Sequence, residues 1–241
     1  MSKVTTLDAV MENVQDGMTI AIGGFLGIGT PLRAVEKLVD RKIKDMTLIS
    51  IVNAHPMAKG EFDIAPLFRN GQVRKLICSH TGTCPEAVAA YKDGTLEIEF
   101  FPMGTLVEKL RAGGSGLGGV LTPTGVGTLV EKGKPKLAIG GREYLLEMPL
   151  RSDLCFVKGF RADPLGNIQY RGVSLNSNPV LAMSSDFTIA EVDELVEVGD
   201  IPPENVGTPG VFVKGVYQGD SFEQHQKLIS DFWIGAGQLR A

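Results

Sequence analysis

The chain has 241 residues, of which 43% are hydrophobic, and its formal net charge is −4. This length is sufficient for one domain with a substantial core, and the negative charge gives no overall attraction to nucleic acid or to an anionic membrane. The three cysteines lack the spacing of a disulfide framework, which favours a reducing compartment. The first ten residues lack a signal-peptide pattern, and no apolar run approaches the ~18 residues of a membrane span. We therefore expect a cytoplasmic protein without nucleic-acid or membrane partners.

The beginning of the chain predicts a helix followed by a strand. From Thr5 to Val14 the apolar residues recur at helical spacing, behind a Thr5-x-x-Asp8 sequence that resembles a capping box. Residues 18–24, MTIAIGG, form a short apolar run that ends in glycine, as expected of a buried strand leading into a loop. A second helix is predicted from Leu32 to Val39, where the apolar residues again lie on one face.

The alternation of strands and helices continues along the chain. Apolar runs predict strands at 46–52, 73–79, 96–102 and 153–159, and helical spacing predicts helices at 86–92 and 105–111. This pattern is typical of an α/β fold with an open, mostly parallel sheet covered by helices on both faces. We expect one domain over residues 1–241, in which the glycine-rich segment 112–133 is an insertion or loop region.

A glycine-rich loop joins the first predicted strand to the second predicted helix. The sequence AIGGFLGIGTP places four glycines in seven positions, and Thr30 can cap the following helix while Pro31 suits its first position. In a parallel sheet such a loop can hold a phosphate or an extended polar ligand, because the backbone is accessible and the helix aims unpaired amides at it. The glycines can equally serve only to let the helix pack closely on the sheet.

Two nucleotide-binding motifs match this sequence poorly. The spacing from Gly24 to Gly29 mimics a P-loop, but Thr30 stands where that motif requires lysine. The run GSGLGG beginning at Gly114 has the spacing of a dinucleotide fingerprint, but it follows a predicted helix instead of a strand. We therefore predict neither function.

Other candidate sites favour ordinary structural roles. Cys78-x-His80-x3-Cys84 lacks a paired Cys-x-x-Cys motif and a fourth ligand, so we predict no metal site. The three histidines mark no recognisable triad. Glu108 is expected to pair with Arg111 on an exposed helix face. The remaining acids with catalytic potential are in no stretch that marks a nucleophile: Glu86, Glu143 and Glu147.

Residues 16–31 carry a family resemblance. The run Asp16-Gly17-x-x-Ile-Ala-Ile-Gly-Gly-Phe-x3-Gly29-x-Pro31 resembles the signature of family I coenzyme A transferases at every specified position. Further stretches are similar to the α subunit of that family, in particular to acetate and 3-oxoacid CoA-transferases: 79–86, 104–133, 162–167 and 208–213. The resemblance implies the α/β fold shared by CoA transferases and some sugar-phosphate isomerases.

The resemblance also implies a reaction that moves CoA from a short-chain acyl-CoA (acetate, acetoacetate or butyrate type) to a free carboxylate. In the family a glutamate attacks the thioester, and a glutamyl-CoA thioester follows an acyl anhydride. That glutamate belongs to a Ser-Glu-Asn-Gly motif, which occurs nowhere in this chain. We expect no catalytic residue here and a β-subunit partner that supplies the glutamate, as an α2β2 heterotetramer. CoA and acyl-CoA are expected as substrates, with no tightly bound cofactor.

The resemblance assigns CoA binding to the glycine loop. Phe25 either lines the pocket or anchors the loop in the core. One departure is visible at residues 175–178, where close relatives read Arg-Asn-Phe-Asn and this chain has Leu175 in place of the arginine, so the acyl specificity is open. A sugar-phosphate isomerase and a non-catalytic module that binds CoA esters or sugar phosphates remain the alternatives. The predicted CoA contacts are Gly23, Gly24, Phe25, Leu26, Gly27, Ile28 and Gly29.

Overall fold

A computed structural model describes residues 1–52, 54, 61–237 and 239–240. Strands and helices alternate over most of this length. The strands are β1 (Thr19–Ile22), β2 (Met46–Ile49), β3 (Val73–Cys78), β4 (Glu97–Phe100), β5 (Val120–Thr122), β6 (Lys136–Ile139), β7 (Arg142–Glu147), β8 (Ser152–Ala162), β9 (Ile168–Gln169), β10 (Ser185–Leu195) and β11 (Gly215–Gln218). The α-helices are α1 (Leu7–Met11), α2 (Leu32–Asp40), α3 (Ala65–Arg69), α4 (Pro85–Lys92), α5 (Met103–Ser115), α6 (Asn178–Met183) and α7 (Phe222–Gly235).

The main sheet confirms the predicted parallel architecture. Seven strands lie in the order β11-β10-β8-β1-β2-β3-β4, every neighbouring pair is parallel, and β9 adds an antiparallel pairing to β8. The chain builds β1 to β4 outward on one side and then returns to place β8, β10 and β11 on the other. The strand order therefore reverses at β1, which is the kind of position where open α/β sheets bind ligands.

Helices cover both faces of this sheet, as predicted. In β1, Ile20 and Ile22 belong to one buried cluster and Ala21 to the other, because successive side chains of a strand point to opposite faces. The first cluster includes apolar residues of α1 to α4, and the second includes those of α5 and α6. Among the described residues no helix combines the length and the apolar character needed to cross a membrane.

The glycine-rich segment 112–133 contains more regular structure than the sequence indicates. Helix α5 does not end at Arg111, where the predicted helix ended, but continues to Ser115, and Gly116 follows it in the left-handed conformation, with φ of 71°. Strand β5 then pairs antiparallel with β7, and β7 with β6, in a separate three-stranded sheet. Position 113 of this helix requires glycine, because a Cβ there would lie only 2.2 Å from the carbonyl oxygen of Leu150.

Two predicted helix caps are wrong in detail. The N-cap of α1 is Thr6 instead of Thr5, since the Thr6 hydroxyl accepts a hydrogen bond from the amide of Ala9 at 3.3 Å. The N-cap of α2 is Pro31 itself, and no side chain of the loop caps this helix. Thr30 instead donates its hydroxyl to the carboxylate of Asp63. A long-range contact has replaced the local one that the sequence suggested.

Candidate active site

The glycine loop leaves the carboxyl end of β1, where the strand order reverses. Its tip is a tight turn, in which the amide of Phe25 donates to the carbonyl of Ile28 at 2.9 Å and the amide of Ile28 donates back at 3.0 Å. The two residues between them both have positive φ, 52° at Leu26 and 87° at Gly27. A leucine in this region is uncommon and strained, so the surrounding contacts must fix the turn.

The space beside each glycine is filled by the chain itself. A Cβ added at any of the four positions would meet heavy atoms within 3 Å. This supports the packing interpretation of the glycines and gives a structural reason for each one without a ligand. The nearest atoms are Asn178 Oδ1 at 1.8 Å from Gly23, Thr30 Oγ1 at 2.0 Å from Gly24, Phe62 Cε1 at 2.4 Å from Gly27 and Ser174 Cα at 2.9 Å from Gly29.

Asp63 holds the loop from one side. Its buried carboxylate accepts hydrogen bonds from the amides of Gly27 and Ile64 and from the Thr30 hydroxyl. Burial raises the pKa of Asp63 to about 6 even though these three donors favour the ionised form. The loop tip is thus anchored to the turn that precedes α3, more than thirty residues further along the chain.

Two asparagines hold the loop from the opposite direction. Asn176 Nδ2 donates to the carbonyl of Ile28 at 3.1 Å, and Asn178 Nδ2 donates to the carbonyl of Gly29 at 3.0 Å. Asn178 is fully buried, and its Oδ1 accepts from the backbone amide of Lys158 on β8 at 3.3 Å. One side chain therefore joins the loop to the neighbouring strand.

The amides at the start of α2 are already occupied. The Glu191 carboxylate, reaching across from β10, accepts from the amides of Arg33 at 3.2 Å and Ala34 at 3.3 Å. The Tyr217 hydroxyl donates to the same oxygen at 2.8 Å. The expectation that this helix aims unpaired amides at a ligand is therefore wrong, because a protein carboxylate already occupies the position at which an anion would bind.

Glu191 belongs to a buried ionic cluster beside the loop. Lys158 Nζ lies 2.6 Å from Asp193 Oδ1 and 3.6 Å from Glu191 Oε1, and all three side chains are buried. Burial raises the pKa of Glu191 and of Asp193, while Lys158 acts in the opposite direction. The cluster ties β8 and β10 to the start of α2.

A cavity opens on the other side of the loop. Its volume is about 430 Å³, and it lies between the carboxyl ends of β1 and β2 and the first turns of α5 and α6. Of the seven predicted contact residues, only Gly24 and Phe25 line this cavity. Phe25 is 40% exposed, so it lines the cavity and does not anchor the loop in the core. The described lining consists of Gly24, Phe25, Ile51, Val52, Met103, Val107, Arg111, Leu175, Asn176, Ser177, Pro179 and Val180.

The other predicted loop residues lie elsewhere. Ile28 and Gly29 line a second cavity of about 200 Å³, next to Lys158 and the C-terminal helix α7. Gly23 and Gly27 pack against Asn178 and Phe62, as described above. The structure thus divides the loop between two surroundings, which the sequence pattern alone could not separate.

The remaining candidate residues form no catalytic group near the cavity. Glu108 pairs with Arg111 at 3.2 Å on an exposed face, as predicted. Glu147 is buried against the amine of Lys109 at 3.2 Å. The described cysteines are buried and free, and burial raises the pKa of Cys78 and of Cys84 to about 12, so neither thiol is a ready nucleophile. His55 lies outside the described residues.

Comparisons with known proteins support the family resemblance of residues 16–31. The family model described as Coenzyme A transferase matches residues 4–219. Acetate CoA-transferase subunit alpha from Escherichia coli (strain K12) is 47% identical over 212 residues, which cover 88% of this chain and 94% of that protein. The alpha subunit of acetoacetyl-CoA:acetate/butyrate CoA transferase from Clostridium acetobutylicum is 45% identical, covering 88% and 95%.

A solved structure supports the fold. An acyl-CoA transferase apoenzyme from Escherichia coli O157:H7 superposes with a TM-score of 0.81 at 20% identity, over 90% of this chain and 47% of that one. The present chain therefore spans about half the length of that protein, while it spans nearly all of the two relatives above.

Proposed function

The chain belongs to the coenzyme A transferase family as a subunit of the α type, and on that premise we propose that it forms the α half of a short-chain acyl-CoA:carboxylate CoA-transferase. Its substrates would be an acyl-CoA of the acetate, acetoacetate or butyrate type and a free carboxylate. A sugar-phosphate isomerase and a non-catalytic binding module are not favoured by these relatives.

One observation carries the half-enzyme proposal: no carboxylate lines the cavity among the described residues. Residues 53 and 55–60, which are outside the description, contain no Asp or Glu either. The family reaction needs a glutamate that attacks the thioester carbon, and this side of the site cannot supply it. A β subunit with a Ser-Glu-Asn-Gly motif would place its glutamate against the cavity, in a complex that we propose to be α2β2.

The reaction is then covalent and reversible. The partner glutamate attacks the acyl-CoA, the thiolate of CoA leaves, and an acyl-glutamyl anhydride forms. The thiolate then attacks the glutamyl carbonyl, which releases the first carboxylate and leaves CoA on the enzyme as a thioester. An incoming carboxylate repeats these steps in reverse. The chain described here would contribute Gly24 and Phe25 of the glycine loop, together with the cavity that they line, as a binding surface for CoA.

A reducing, cytoplasmic location is part of the proposal. All three cysteines are buried and unpaired, which agrees with a compartment where disulfides do not form. CoA would act as a substrate and not as a resident cofactor.

Reconstitution tests the proposal directly. The chain is purified alone and together with a β-type subunit that carries Ser-Glu-Asn-Gly, and transfer of CoA from butyryl-CoA to acetate is followed. We expect turnover only from the mixture, and a glutamyl-CoA thioester on the β chain that hydroxylamine releases. A β variant with the glutamate replaced by alanine is the matched control. Turnover by the isolated chain would refute the half-enzyme proposal.

A further inference from the structure

Helix α7 lies outside the part of the chain that the family model matches. The match ends at residue 219, and α7 spans Phe222–Gly235. Its first turn is capped in both directions, because Ser221 Oγ accepts from the Gln224 amide at 3.3 Å and the Ser221 amide donates to Gln224 Oε1 at 2.9 Å. The contacts that this helix makes therefore require an explanation of their own.

The start of α7 is fixed to the start of α2. The Arg33 guanidinium donates from Nε at 3.1 Å and from Nη2 at 2.8 Å to Oδ1 of Asp220, two residues before the helix. The backbone amide of Arg33 is one of the two that Glu191 accepts. Helix α7 thus begins directly beside the polar groups that hold the start of α2.

Helix α7 then reaches the tip of the glycine loop through an aromatic stack. The Phe232 ring lies on the Phe62 ring, with centroids 4.2 Å apart and an interplanar angle of 15°. A Cβ added at Gly27 would lie 2.4 Å from Phe62 Cε1 and 3.4 Å from Cδ1 of Ile229, another residue of α7. Phe62 is therefore held between α7 and the loop tip.

A second set of contacts supports the end of the loop. Ile28 and Gly29 line the cavity of about 200 Å³ together with residues of α7. At the beginning of the helix, the Phe222 ring centroid lies 4.0 Å from Cζ of Arg171. Arg171 immediately precedes the 3-10 turn 172–175, which leads into the two asparagines that bind the loop. Helix α7 thus touches both the loop and the segment that holds it.

The turn at the loop tip carries this support to the cavity beside Phe25. Phe25 and Ile28 exchange two backbone hydrogen bonds, at 2.9 Å and 3.0 Å, so a displacement of Gly27 or Ile28 also displaces Phe25, which lines the cavity of about 430 Å³. The positive φ angles within this turn persist only where neighbouring groups determine them. Helix α7 supplies neighbours of this kind.

Helix α7 is itself lightly packed. The structure describes all 14 of its residues, and none of them is buried. Segments with few buried contacts open at a smaller free-energy cost than the core does. The contact of α7 with the loop can therefore be lost while the central sheet stays folded.

We propose that α7 positions the glycine loop for CoA, and that Phe232 is the positioning residue, acting through Phe62 on Gly27. The inference rests on the proposed function, since it assumes that the loop binds CoA. When α7 is displaced, only a fraction of the molecules keep the competent loop geometry, and the apparent affinity for CoA falls by that fraction. Saturating acyl-CoA selects the competent geometry, so kcat is preserved.

Kinetics of the reconstituted α/β enzyme test this role. Phe232→Ala removes the ring that stacks on Phe62, and we expect KM for butyryl-CoA to rise about fivefold while kcat stays within about twofold of the parent value. Phe232→Tyr keeps the ring and should restore the parent KM. A purely structural role would instead lower kcat through loss of folded enzyme and leave KM unchanged, and that result would overturn the inference.

Ile234→Ala is the control within the same helix. Ile234 is 37% exposed and does not line the cavity that α7 shares with the loop, so its truncation should leave KM for butyryl-CoA unchanged. An equal rise in KM for Ile234→Ala and Phe232→Ala would overturn the specific role of Phe232.

Hydrogen exchange supplies a second measurement that needs no substitution. Coupling between two equilibria is reciprocal, so saturating CoA should slow the exchange of the α7 amides in the α/β complex by about the same fivefold factor. Unchanged exchange in α7 on CoA binding to an active complex would overturn the inference and leave the CoA-transferase proposal intact. The absence of turnover by the parent α/β mixture would overturn both proposals together.

Discussion

The two sides of the glycine loop differ in what they contact. On the packed side, which we define by Asp63, Asn178 and Glu191, buried polar side chains hold the loop and the start of α2. On the cavity side, defined by Phe25 and Leu175, large apolar side chains are half exposed. The comparison teaches that the glycines serve the packed side, where the chain fills every Cβ position, while the features that point to a ligand belong to the cavity side.

This division of roles has a physical logic. A loop with a strained turn keeps one geometry only if neighbouring groups determine it, and the packed side provides these groups from three separate segments of the chain, those of Asp63, Asn178 and Glu191. The cavity side can then present Phe25 in a fixed position. Preorganisation of this kind lowers the entropy lost on ligand binding.

The largest effect is expected from breaking the ionic cluster of the packed side. Lys158→Met would leave the carboxylates of Glu191 and Asp193 buried without their cation, which typically lowers the free energy of unfolding by about 3–5 kcal/mol. Urea unfolding at pH 7 measures this loss. Arg161→Met is the matched control on the same strand, because Arg161 pairs with Glu194 in an exposed bridge of 2.7 Å and should cost less than about 1 kcal/mol. Equal losses would contradict the importance of burial.

This cluster also explains a limit of sequence-based prediction. Strand β10 was not predicted, because Glu191 and Asp193 interrupt its apolar run at positions that prove to be buried. Their burial depends on Lys158, more than thirty residues earlier, and no local pattern contains that information. The strands β1 and β3 were predicted because all of their buried residues are apolar and need no such partner.

Other missed elements did have local signals. Ser221 and Gln224 form a capping box at the start of α7, and Gly140–Gly141 forms the tight turn between β6 and β7. Both patterns could have been read from the sequence. The loop was found from its glycines, but Asp63, Asn178 and Glu191 are brought to it only by the tertiary fold.

The second prediction concerns pH and the packed side. The pKa of Asp63 is about 6 in the fold and near 3.8 in the unfolded chain. Between these values the folded protein keeps a proton that the unfolded chain releases. The contribution of Asp63 therefore lowers the free energy of unfolding as pH rises from about 4 to about 6, by about 1.4 kcal/mol per pH unit. Above pH 6 the loss, about 3 kcal/mol in total, remains.

Asp63→Asn isolates this contribution. Asparagine does not titrate and tolerates the positive φ of 58° at this position. Urea unfolding at pH 4.5 and pH 7 should show a smaller fall in stability for the variant than for the parent chain. The same pH dependence in both proteins would show that Asp63 is not the titrating group.

The third prediction tests whether Gly23 serves packing. Gly23→Ala brings a Cβ to 1.8 Å from Asn178 Oδ1, and the hydrogen bonds of Asn178 prevent it from moving away. We expect a loss of about 1–3 kcal/mol. In the Asn178→Ala background the same change should cost about 1 kcal/mol less, since the obstructing atoms are gone, and a double-mutant cycle measures this coupling.

Gly104 in α5 is the control for the glycine substitution itself. No atom lies within 4 Å of its Cβ position, so Gly104→Ala should stabilise the helix by up to about 1 kcal/mol. Additive losses in the Gly23 and Asn178 cycle would mean that the two residues do not compete for the same space, and the packing explanation of this glycine would fail.

The smallest effect on stability is expected on the cavity side. Phe25→Ala removes a side chain that is already 40% exposed, so the free energy of unfolding should fall by about 1 kcal/mol or less. Phe62→Ala is the matched change on the packed side, where Phe62 stacks on Phe232 with the ring centroids 4.2 Å apart, and it should cost about 2 kcal/mol or more. Transfer activity should show the reverse order, since Phe25 lines the cavity and Phe62 does not. The side whose aromatic residue affects turnover more is the side that contacts the acyl group. If both variants stay folded and Phe62→Ala impairs turnover more than Phe25→Ala, the ligand surface lies on the packed side.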